Sequence, residues 1–300
     1  MKEIIYKNYP MVTVFTPAYN RAHTLHRTYE SLCRQQNKGF IWLIIDDGST
    51  DNTADLVKKW QQENDDFEIR YIYKENGGMH TAHNVAYENI DTELNVCIDS
   101  DDMLAENAVN IIYNTWDQIK DKNYAGIIGL DADFDGTILG SQFPYTGYET
   151  TLFDYERKFG SEDKKLVYRT DVMRQYPPYP EFEGEKLVAL SYKYLLCDQD
   201  YLLYSVNKIL CNVEYQVDGS TNNMWKQRVN NAKGFAFYKN VRMKYPSCKT
   251  MLIKDTIHYI ASSLIGHNKE FIKESNRKGL TIALLPAGAL VAIIIKSKAQ

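Results

Sequence analysis

The strongest constraint on the fold is the order of apolar runs and helical stretches along the first hundred residues. Residues 11–16, 41–45, 69–73 and 94–98 are strand-length runs dominated by apolar and aromatic side chains. Between these runs, apolar residues recur at helical spacing, as in the segment 54–60. This βαβαβαβ order predicts an α/β fold with a mostly parallel sheet and helices on both faces.

A polar motif follows each predicted strand. The motifs are TPAYNR at 16–21, DDGSTD at 46–51, NGG at 76–78 and DSDD at 99–102. Ligands of such sheets bind outside the carboxyl ends of the strands, so we expect the four loops to border one crevice. The first loop has no glycine, which argues against both a dinucleotide-binding fingerprint and a P-loop.

The last motif crowds three carboxylates, Asp99, Asp101 and Asp102, into four residues. Like charges this close repel unless a cation or hydrogen-bond donors lie among them. One interpretation is a bound divalent metal. The alternative is that Asp101 or Asp102 caps a helix beginning near Glu106, the remainder being a solvated turn. Convergence with three other polar loops favours a metal that bridges carboxylates and a diphosphate.

Composition narrows the classes of partner and compartment. The formal net charge of −4 and a pI of about 5.9 give no reason to expect a nucleic-acid partner. The five cysteines form no CxxC pair, which argues against a disulfide framework and a zinc site and favours a reducing compartment. The segment MKEIIYKNYP lacks the apolar core of a secretory signal, so a cytoplasmic location is expected.

In their order and spacing, TPAYNR, IIDDGSTD, ENGG and CIDSDDM resemble the motifs of the inverting family 2 glycosyltransferases, of the type that builds bacterial surface polysaccharides. The resemblance covers about residues 9–130. It implies a GT-A (Rossmann-like) sheet with flanking helices and hexosyltransferase activity. We predict this domain at 1–225, with its donor half at 9–130 and its acceptor half at 131–225. Apolar residues at helical spacing after about residue 230 predict a helical C-terminal extension at 226–300.

The resemblance further implies a nucleotide-sugar donor, expected to be UDP-linked, at the carboxyl edge of the sheet. At the matching positions, Pro17 and Tyr19 would contact the nucleoside, Asp47 would accept the imide N–H of a uracil-like base, and Asn76 would complete that floor. The family often has an arginine where this chain has His83. A neutral imidazole cannot make the bidentate contact of a guanidinium, so His83 is a weaker nucleotide-binding candidate.

The metal and the catalytic base are implied in the same way. Asp101 would be the ligand of Mn²⁺ or Mg²⁺, and Asp99 would face the ribose or a metal-bound water. Inversion by direct displacement needs a carboxylate that accepts the proton of the acceptor hydroxyl. The family's Glu-Asp pair is Glu-Lys here, so Glu185 is the predicted base, with Glu183 second and the aspartates at 198 and 200 behind them.

Residues 192–217 are predicted to form two strand-like runs that end in a turn at 218–220, a candidate loop over the donor. Lys226 and Arg228 follow closely enough to be candidates for contacting the diphosphate. The alternative interpretation is that both side chains are exposed and bind nothing specific, since basic residues after a loop are mostly solvated.

The segment 280–295 carries no charge and is flanked by lysines and arginines. It is shorter than the ~20 residues of a spanning helix and is interrupted by Pro286 and Gly288. We therefore expect it to lie in a membrane interface on the cytoplasmic face, which suits a lipid-linked acceptor. The alternative is a C-terminal core helix or strand.

The function predicted from the sequence is metal-dependent, inverting transfer of a sugar from a UDP-sugar to a hydroxyl of a growing surface glycan. A sugar nucleotidyltransferase is disfavoured because TPAYNRA is not a glycine-rich, basic loop for a triphosphate. A catalytically inactive module that binds a glycan or nucleotide-sugar would account for the Glu-Lys departure. The intact DSDD motif argues against that alternative.

Overall fold

The computed structural model describes residues 10–214 and 224–299. These residues form two compact units, one of residues 10–177 and 196–214 and the other of 178–195 and 224–299. The turn predicted at 218–220 lies outside the described residues. The domain boundary predicted at residue 225 stays a prediction.

The first unit is built on a nine-stranded sheet in the order β3-β2-β1-β4-β8-β6-β9-β5, with β7 paired to β9. Its strands are β1 (Val12–Ala18), β2 (Phe40–Asp46), β3 (Glu68–Tyr73), β4 (Leu94–Cys97), β5 (Met103–Leu104), β6 (Tyr124–Ala132), β7 (Glu149–Thr150), β8 (Lys164–Arg169) and β9 (Leu202–Asn212). Strands β3, β2, β1 and β4 are parallel neighbours, whereas β8 runs antiparallel between β4 and β6. This confirms the predicted mostly parallel α/β sheet.

The helices up to residue 197 are α1 (Leu25–Cys33), α2 (Thr53–Glu63), α3 (Met79–Asn89), α4 (Ala108–Ile119), α5 (Leu152–Phe159), α6 (Thr170–Gln175) and α7 (Ser191–Cys197). Every residue of β1 and β2 is buried, as expected for parallel strands covered on both faces. Tyr29 of α1 stacks on Trp60 of α2 at 4.4 Å between ring centroids, and Trp42 of β2 lies beside both. Aromatic packing thus holds α1 and α2 against the central strands.

The prediction of two strand-like runs over 192–217 is wrong in its first half. Residues 191–197 form helix α7, and within the described part of this range, up to residue 214, only Leu202–Asn212 is a strand. Tyr192 and Leu195 are both buried, at 7% and 4% exposure, and their three-residue spacing is that of a helix rather than a strand. Short apolar runs are ambiguous in this respect.

The second unit contains the C-terminal helices α8 (Met224–Asn230), α9 (Ala232–Lys244), α10 (Lys249–Ile265), α11 (Phe271–Glu274), α12 (Lys278–Ala283) and α13 (Leu285–Ala299). Helix α13 packs on α10 at Gly288, where an added Cβ would collide with Ile260. Ala292 and Ile295 are buried in the same seam. The helical C-terminal region is confirmed. Within the described residues, no helix has both the length and the apolarity needed to cross a membrane.

Candidate active site

The loops after β1 and β2 are joined by side-chain to main-chain hydrogen bonds. The N–H of Asn20 donates to Ser49 Oγ at 2.8 Å, and Thr50 N–H donates to Asn20 Oδ1 at the same distance. Asn20 adopts φ of 53°, a left-handed conformation that asparagine tolerates better than most residues. Ala22 N–H also donates to Asp51 Oδ2 at 3.0 Å. The TPAYNR and DDGSTD motifs therefore form one ordered rim.

The two predicted nucleoside contacts on the first loop differ in exposure. Pro17 is buried within β1, opposite Ile45 of β2. Tyr19 lies one residue beyond the strand and is 49% exposed. An exposed aromatic ring at the carboxyl end of a central strand can stack on a planar base.

Asp47 organises the loop after β3. Its Oδ1 accepts from Lys74 Nζ at 2.5 Å and from Gly77 N–H at 2.9 Å. Its Oδ2 accepts from Gly78 N–H at 2.8 Å and from Asn76 Nδ2 at 3.3 Å, and Asn76 also reaches the Asp47 carbonyl. A carboxylate has about four acceptor positions, so internal donors engage all of them.

The floor predicted for the nucleobase is formed by Asp47 and Asn76. The structure brings these residues together, as the motif spacing predicts. A base N–H, however, would have to share an oxygen that already accepts internal bonds. Lys74, which sequence reasoning missed, adds a partly exposed cation to this wall, with its side chain 18% exposed.

His83 of α3 lies beneath the edge of the sheet. Its ring is fully buried and meets Phe15 edge-on, with centroids 5.0 Å apart. Nε2 lies 3.7 Å from Cys97 Sγ, at the end of β4. Because the ring has no exposed surface, it supports the floor of the site in this arrangement, and its predicted role in nucleotide binding stays a prediction.

The acidic turn, Asp99 to Asp102, leads directly from β4 into β5. Asp102 N–H donates to the Asp99 carbonyl at 3.0 Å, and Thr28 Oγ1 donates to the Asp102 carbonyl at 2.8 Å. The alternative interpretation, a helix cap at Asp101 or Asp102, is wrong. Helix α4 begins at Ala108 with Asn107 as its N-cap residue, and β5 intervenes between the turn and that helix.

A lysine from β8 provides positive charge beside the acidic turn. Strand β8 pairs antiparallel with β4, with Val167 opposite Val96, so Lys165 lies alongside the end of β4. Its Nζ donates to the Cys97 carbonyl at 3.4 Å. Burial opposes this charge, but the negative potential of Asp131, Asp102 and nearby groups raises the pKa of Lys165 above its ordinary value. Lys165 is therefore a built-in counter-cation.

The carboxylates around Lys165 differ in burial. Asp102 is 7% exposed, and burial raises its pKa to about 8 against the opposing field of Lys165. Asp131 of β6 is 2% exposed, and burial raises its pKa to about 6. Asp99 and Asp101 are only partly buried. The turn therefore holds its two outer carboxylates nearer to solvent than its inner one.

The side chains of the acidic turn fit one kind of divalent-cation site. Among the described residues, no three His, Cys, Asp or Glu side chains converge closely enough to hold a metal by themselves. Mg²⁺ is commonly bound by one or two carboxylates together with substrate phosphates and waters. The partly exposed oxygens of Asp99 and Asp101 fit that incomplete kind of site.

The predicted base, Glu185, lies in the second unit, at the start of α9. Its Oε1 accepts from Lys233 N–H and its Oε2 from Gly234 N–H, both at 2.9 Å. These are donors of the first turn of α9, which have no partner within the helix itself. An added Cβ on Gly234 would collide with the Leu187 carbonyl, so this glycine permits the close approach of the Glu185 segment.

The other base candidates have different surroundings. Glu183 is exposed, in a turn closed by the Glu185 N–H bond to the Phe182 carbonyl at 2.9 Å. Asp198 accepts from Phe153 N–H at 2.9 Å, and burial raises its pKa to about 7. Asp200 accepts from the Tyr176 hydroxyl at 3.0 Å. The assignment of the base among these residues stays a prediction.

Residues 13–176 match the profile of the family described as Glycosyl transferase family 2. The match begins in β1 and ends one residue beyond α6, so it includes the rim, the Asp47 loop, the acidic turn and Lys165.

Two curated relatives are similar over the same part of the chain. Glycosyltransferase GlyG of Streptococcus pneumoniae is 27% identical over 140 residues, which are 46% of this chain and 45% of GlyG. Chondroitin synthase of Pasteurella multocida is 30% identical over 150 residues, which are 49% of this chain and 15% of the synthase. The chain thus spans less than half the length of either relative.

Among solved structures, Staphylococcus aureus TarS 1–349 in complex with UDP-GlcNAc is similar with a TM-score of 0.60. The alignment covers 95% of this chain and 88% of that one at 16% sequence identity. At this identity the likeness concerns the fold alone, and it extends over both the sheet and the C-terminal helices.

Proposed function

This chain belongs to glycosyl transferase family 2, and on that premise we propose that it transfers one sugar from a UDP-sugar to a hydroxyl of a growing surface glycan. Transfer proceeds with inversion and with Mn²⁺ or Mg²⁺. The observation that carries the proposal is the series of polar loops at the carboxyl ends of β1 to β4, which ends in the acidic turn. The UDP-GlcNAc complex of TarS and the glycan named in chondroitin synthase support the classes of donor and acceptor.

The nucleoside half of the donor is assigned to the rim and the Asp47 loop. The exposed ring of Tyr19 stacks on the base beside Pro17. Asp47 and Asn76 form the polar floor, where Oδ2 of Asp47 accepts the base N–H in place of its long contact of 3.3 Å to Asn76. Lys74, which is paired with Asp47, lies near enough to that floor to favour an anionic ligand.

The diphosphate half is assigned to the acidic turn. Asp101 and Asp99 would hold the metal, whose charge, when it is bound, neutralises the departing UDP diphosphate. The positive charge of Lys165 acts on the inner carboxylate, Asp102, and on Asp99, which favours a turn of fixed shape. The chain's own contribution is thus a turn of fixed shape that presents oxygen ligands at one edge.

During transfer, the acceptor oxygen bonds to the anomeric carbon as the bond from that carbon to the diphosphate oxygen breaks. The hydroxyl proton passes to a carboxylate, which is Glu185 in our assignment, or else Glu183. Because Glu185 already accepts two main-chain N–H bonds, it would have to exchange one of them for the acceptor hydroxyl. Glu183, which is exposed, has no such requirement.

Glutamine substitutions distinguish the two glutamates. Glu185→Gln introduces an NH₂ group against the N–H donors of Lys233 and Gly234, so it should lower thermal stability and also abolish transfer while UDP-sugar binding persists. Glu183→Gln should leave stability and donor binding unchanged. Unchanged turnover in Glu185→Gln, together with its loss in Glu183→Gln, would move the role of base to Glu183.

The assignment of the metal is tested with Asp101→Ala and a matched control, Asp135→Ala, which removes an exposed carboxylate of the same unit. Asp101→Ala should abolish Mn²⁺-dependent UDP binding measured by calorimetry, whereas Asp135→Ala should bind like the wild type. Wild-type affinity in Asp101→Ala would exclude this metal site.

We also assign the outer face of α13 to the cytoplasmic surface of a membrane that carries a lipid-linked acceptor. Leu290, Ile293 and Ile294 are exposed at 59%, 67% and 42%, and Lys296 and Lys298 follow them. Exposed apolar side chains beside cations suit the interface of an anionic bilayer. Ile293→Asp should reduce flotation with vesicles that contain phosphatidylglycerol. Equal flotation of Ile293→Asp and the wild type would overturn this assignment.

The engagement of Glu185 by α9 gives one specific reason to retain an alternative function. A module that binds nucleotide-sugar without catalysis would keep the acidic turn and use Glu185 only as a helix cap. That alternative predicts metal-dependent binding of a UDP-sugar with neither transfer nor hydrolysis, even when acceptor glycans are supplied.

A further inference from the structure

The second unit contains a concentration of positive charge to which the proposed reaction assigns no role. The predicted contact of Lys226 and Arg228 with the donor diphosphate stays a prediction. Helices α8, α9, α10, α12 and α13 carry eleven lysines and arginines but a single carboxylate, Asp255. Four of these cations surround that carboxylate and the neighbouring His258. We call this group the basic cluster: Arg228 of α8, Lys239 and Arg242 of α9, and Lys254 of α10.

The single negative charge of Asp255 does not neutralise the four positive charges of the basic cluster. It is 2% exposed, and it accepts from Lys239 Nζ and from Arg242 Nε, both at 2.8 Å. The side chains of these two cations are only 18% and 19% exposed. One carboxylate thus serves two largely buried cations, and among the described residues helices α8, α9 and α10 provide no second carboxylate for the charges of Arg228 and Lys254.

Arg228 is held in a fixed position within the cluster. Its guanidinium lies 5.9 Å from the centroid of Trp225 and 5.8 Å from that of Phe235. Nη1 lies 3.2 Å from His258 Nδ1. Burial, together with the charges of Arg228, Lys239 and Lys254, lowers the pKa of His258 to about 4, so its ring is neutral at pH 7 and accepts from Arg228.

This environment favours an anion with several oxygen atoms. A guanidinium has five N–H donors, of which the described residues engage Nη1 through His258, and its planar fork matches phosphate oxygens. A lysine adds a point charge with three donors. Half-buried positive charge without a countercharge is costly, and a bound phosphate removes that cost.

We propose that Arg228, Lys239 and Lys254 form a binding site for a phosphate or diphosphate group in the C-terminal helical unit. The ligand is either the headgroup of an anionic lipid or a phosphate carried by a free molecule such as a phosphorylated acceptor. Asp255 and His258 position the cations, and Asp255 keeps two of them together before the ligand binds. The proposal does not depend on the assignment of the metal at the acidic turn.

The probe is pyrophosphate, titrated calorimetrically into the full chain in the presence of EDTA, so that metal-dependent binding at the acidic turn does not contribute. Arg228→Gln should weaken binding at least about tenfold, because it removes a charged, planar donor. Lys254 is exposed, so Lys254→Gln should fold normally. It should weaken pyrophosphate binding less than Arg228→Gln does, and it tests the site even if the Arg228 variant misfolds. The matched control is Lys244→Gln, which makes the same charge change at the exposed end of α9 and should bind like the wild type.

Vesicle flotation distinguishes the two sources of phosphate. If Arg228→Gln also loses binding to phosphatidylglycerol vesicles, the ligand is a lipid headgroup. If only pyrophosphate binding falls, the ligand is a free phosphorylated molecule. The absence of pyrophosphate binding to the wild type, or equal binding by the wild type, Arg228→Gln and Lys254→Gln, would overturn the proposal.

Discussion

The acidic turn and the basic cluster have opposite charge arrangements. In the first unit, Lys165 lies beside several carboxylates, Asp99, Asp102 and Asp131 among them. In the second unit, one carboxylate, Asp255, lies among four cations. Among the described residues, each group keeps an excess of one sign after its internal partner is counted. This excess motivates both proposals, a divalent cation at the acidic turn and a phosphate at the basic cluster.

The internal partners differ in how closely they are held. Asp255 contacts both of its cations at 2.8 Å and is 2% exposed. Lys165 is partly exposed, and its Nζ donates to the main-chain carbonyl of Cys97 at 3.4 Å. Asp255 should therefore contribute more than Lys165 to the free energy of unfolding. The contribution of Lys165 should depend more on whether a cation is bound beside it.

The largest effect is expected for Asp255→Asn, which removes the buried carboxylate that Lys239 and Arg242 share. Breaking a buried ion pair from one side typically costs about 3–5 kcal/mol of unfolding free energy. Urea denaturation measures this cost. The matched control is Asp117→Asn, which removes an exposed partner of Lys120 and should change the free energy of unfolding by no more than about 0.5 kcal/mol. A change below about 1 kcal/mol in Asp255→Asn would contradict the ranking.

A smaller loss, about 1.5–3 kcal/mol, is expected for Lys165→Met, because Lys165 is less buried than Asp255. Part of this loss should be recovered in Mn²⁺, since a divalent cation replaces the missing positive charge beside the carboxylates. The measurement is urea denaturation with and without Mn²⁺, compared with Lys208→Met, an exposed lysine of β9. If Mn²⁺ stabilises Lys165→Met no more than the wild type, Lys165 does not act as the counter-cation of the turn.

The smallest effect concerns pH. The pKa of His258 falls from 6.5 to about 4 on folding, so below pH 6.5 the unfolded chain binds a proton that the folded chain does not. The free energy of unfolding should therefore decrease as the pH falls from about 6.5 to about 4. The difference between the wild type and His258→Gln isolates this contribution, and identical pH profiles would show that His258 is not shielded by the cluster.

The sequence predicted best what depends on local pattern. The positions of β1 to β4 and of the four loops follow from short apolar runs and from motifs that come directly after them. The mutual contact of Asp47 and Asn76 followed from the parallel order of β2 and β3. These features need only the rule that parallel strands carry their ligands at their carboxyl ends.

Long-range pairings were not predictable in this way. Lys165 lies 68 residues from Cys97 and reaches it only because β8 is inserted antiparallel beside β4. Glu185 bonds to main-chain groups 48 and 49 residues away, and nothing in EGEK indicates a helix cap. Helix α7 was mistaken for a strand because its apolar run is too short to reveal a period.

The most direct test of the central claim is a calorimetric titration of the protein with UDP-, GDP- and TDP-sugars, in Mn²⁺ and then in EDTA, repeated with Asp101→Ala. The account predicts that one UDP-sugar binds in Mn²⁺ and that this binding is lost both in EDTA and in Asp101→Ala. Binding that survives in EDTA and in Asp101→Ala, or no binding of any of these donors, would contradict the account of the acidic turn as a metal and diphosphate site.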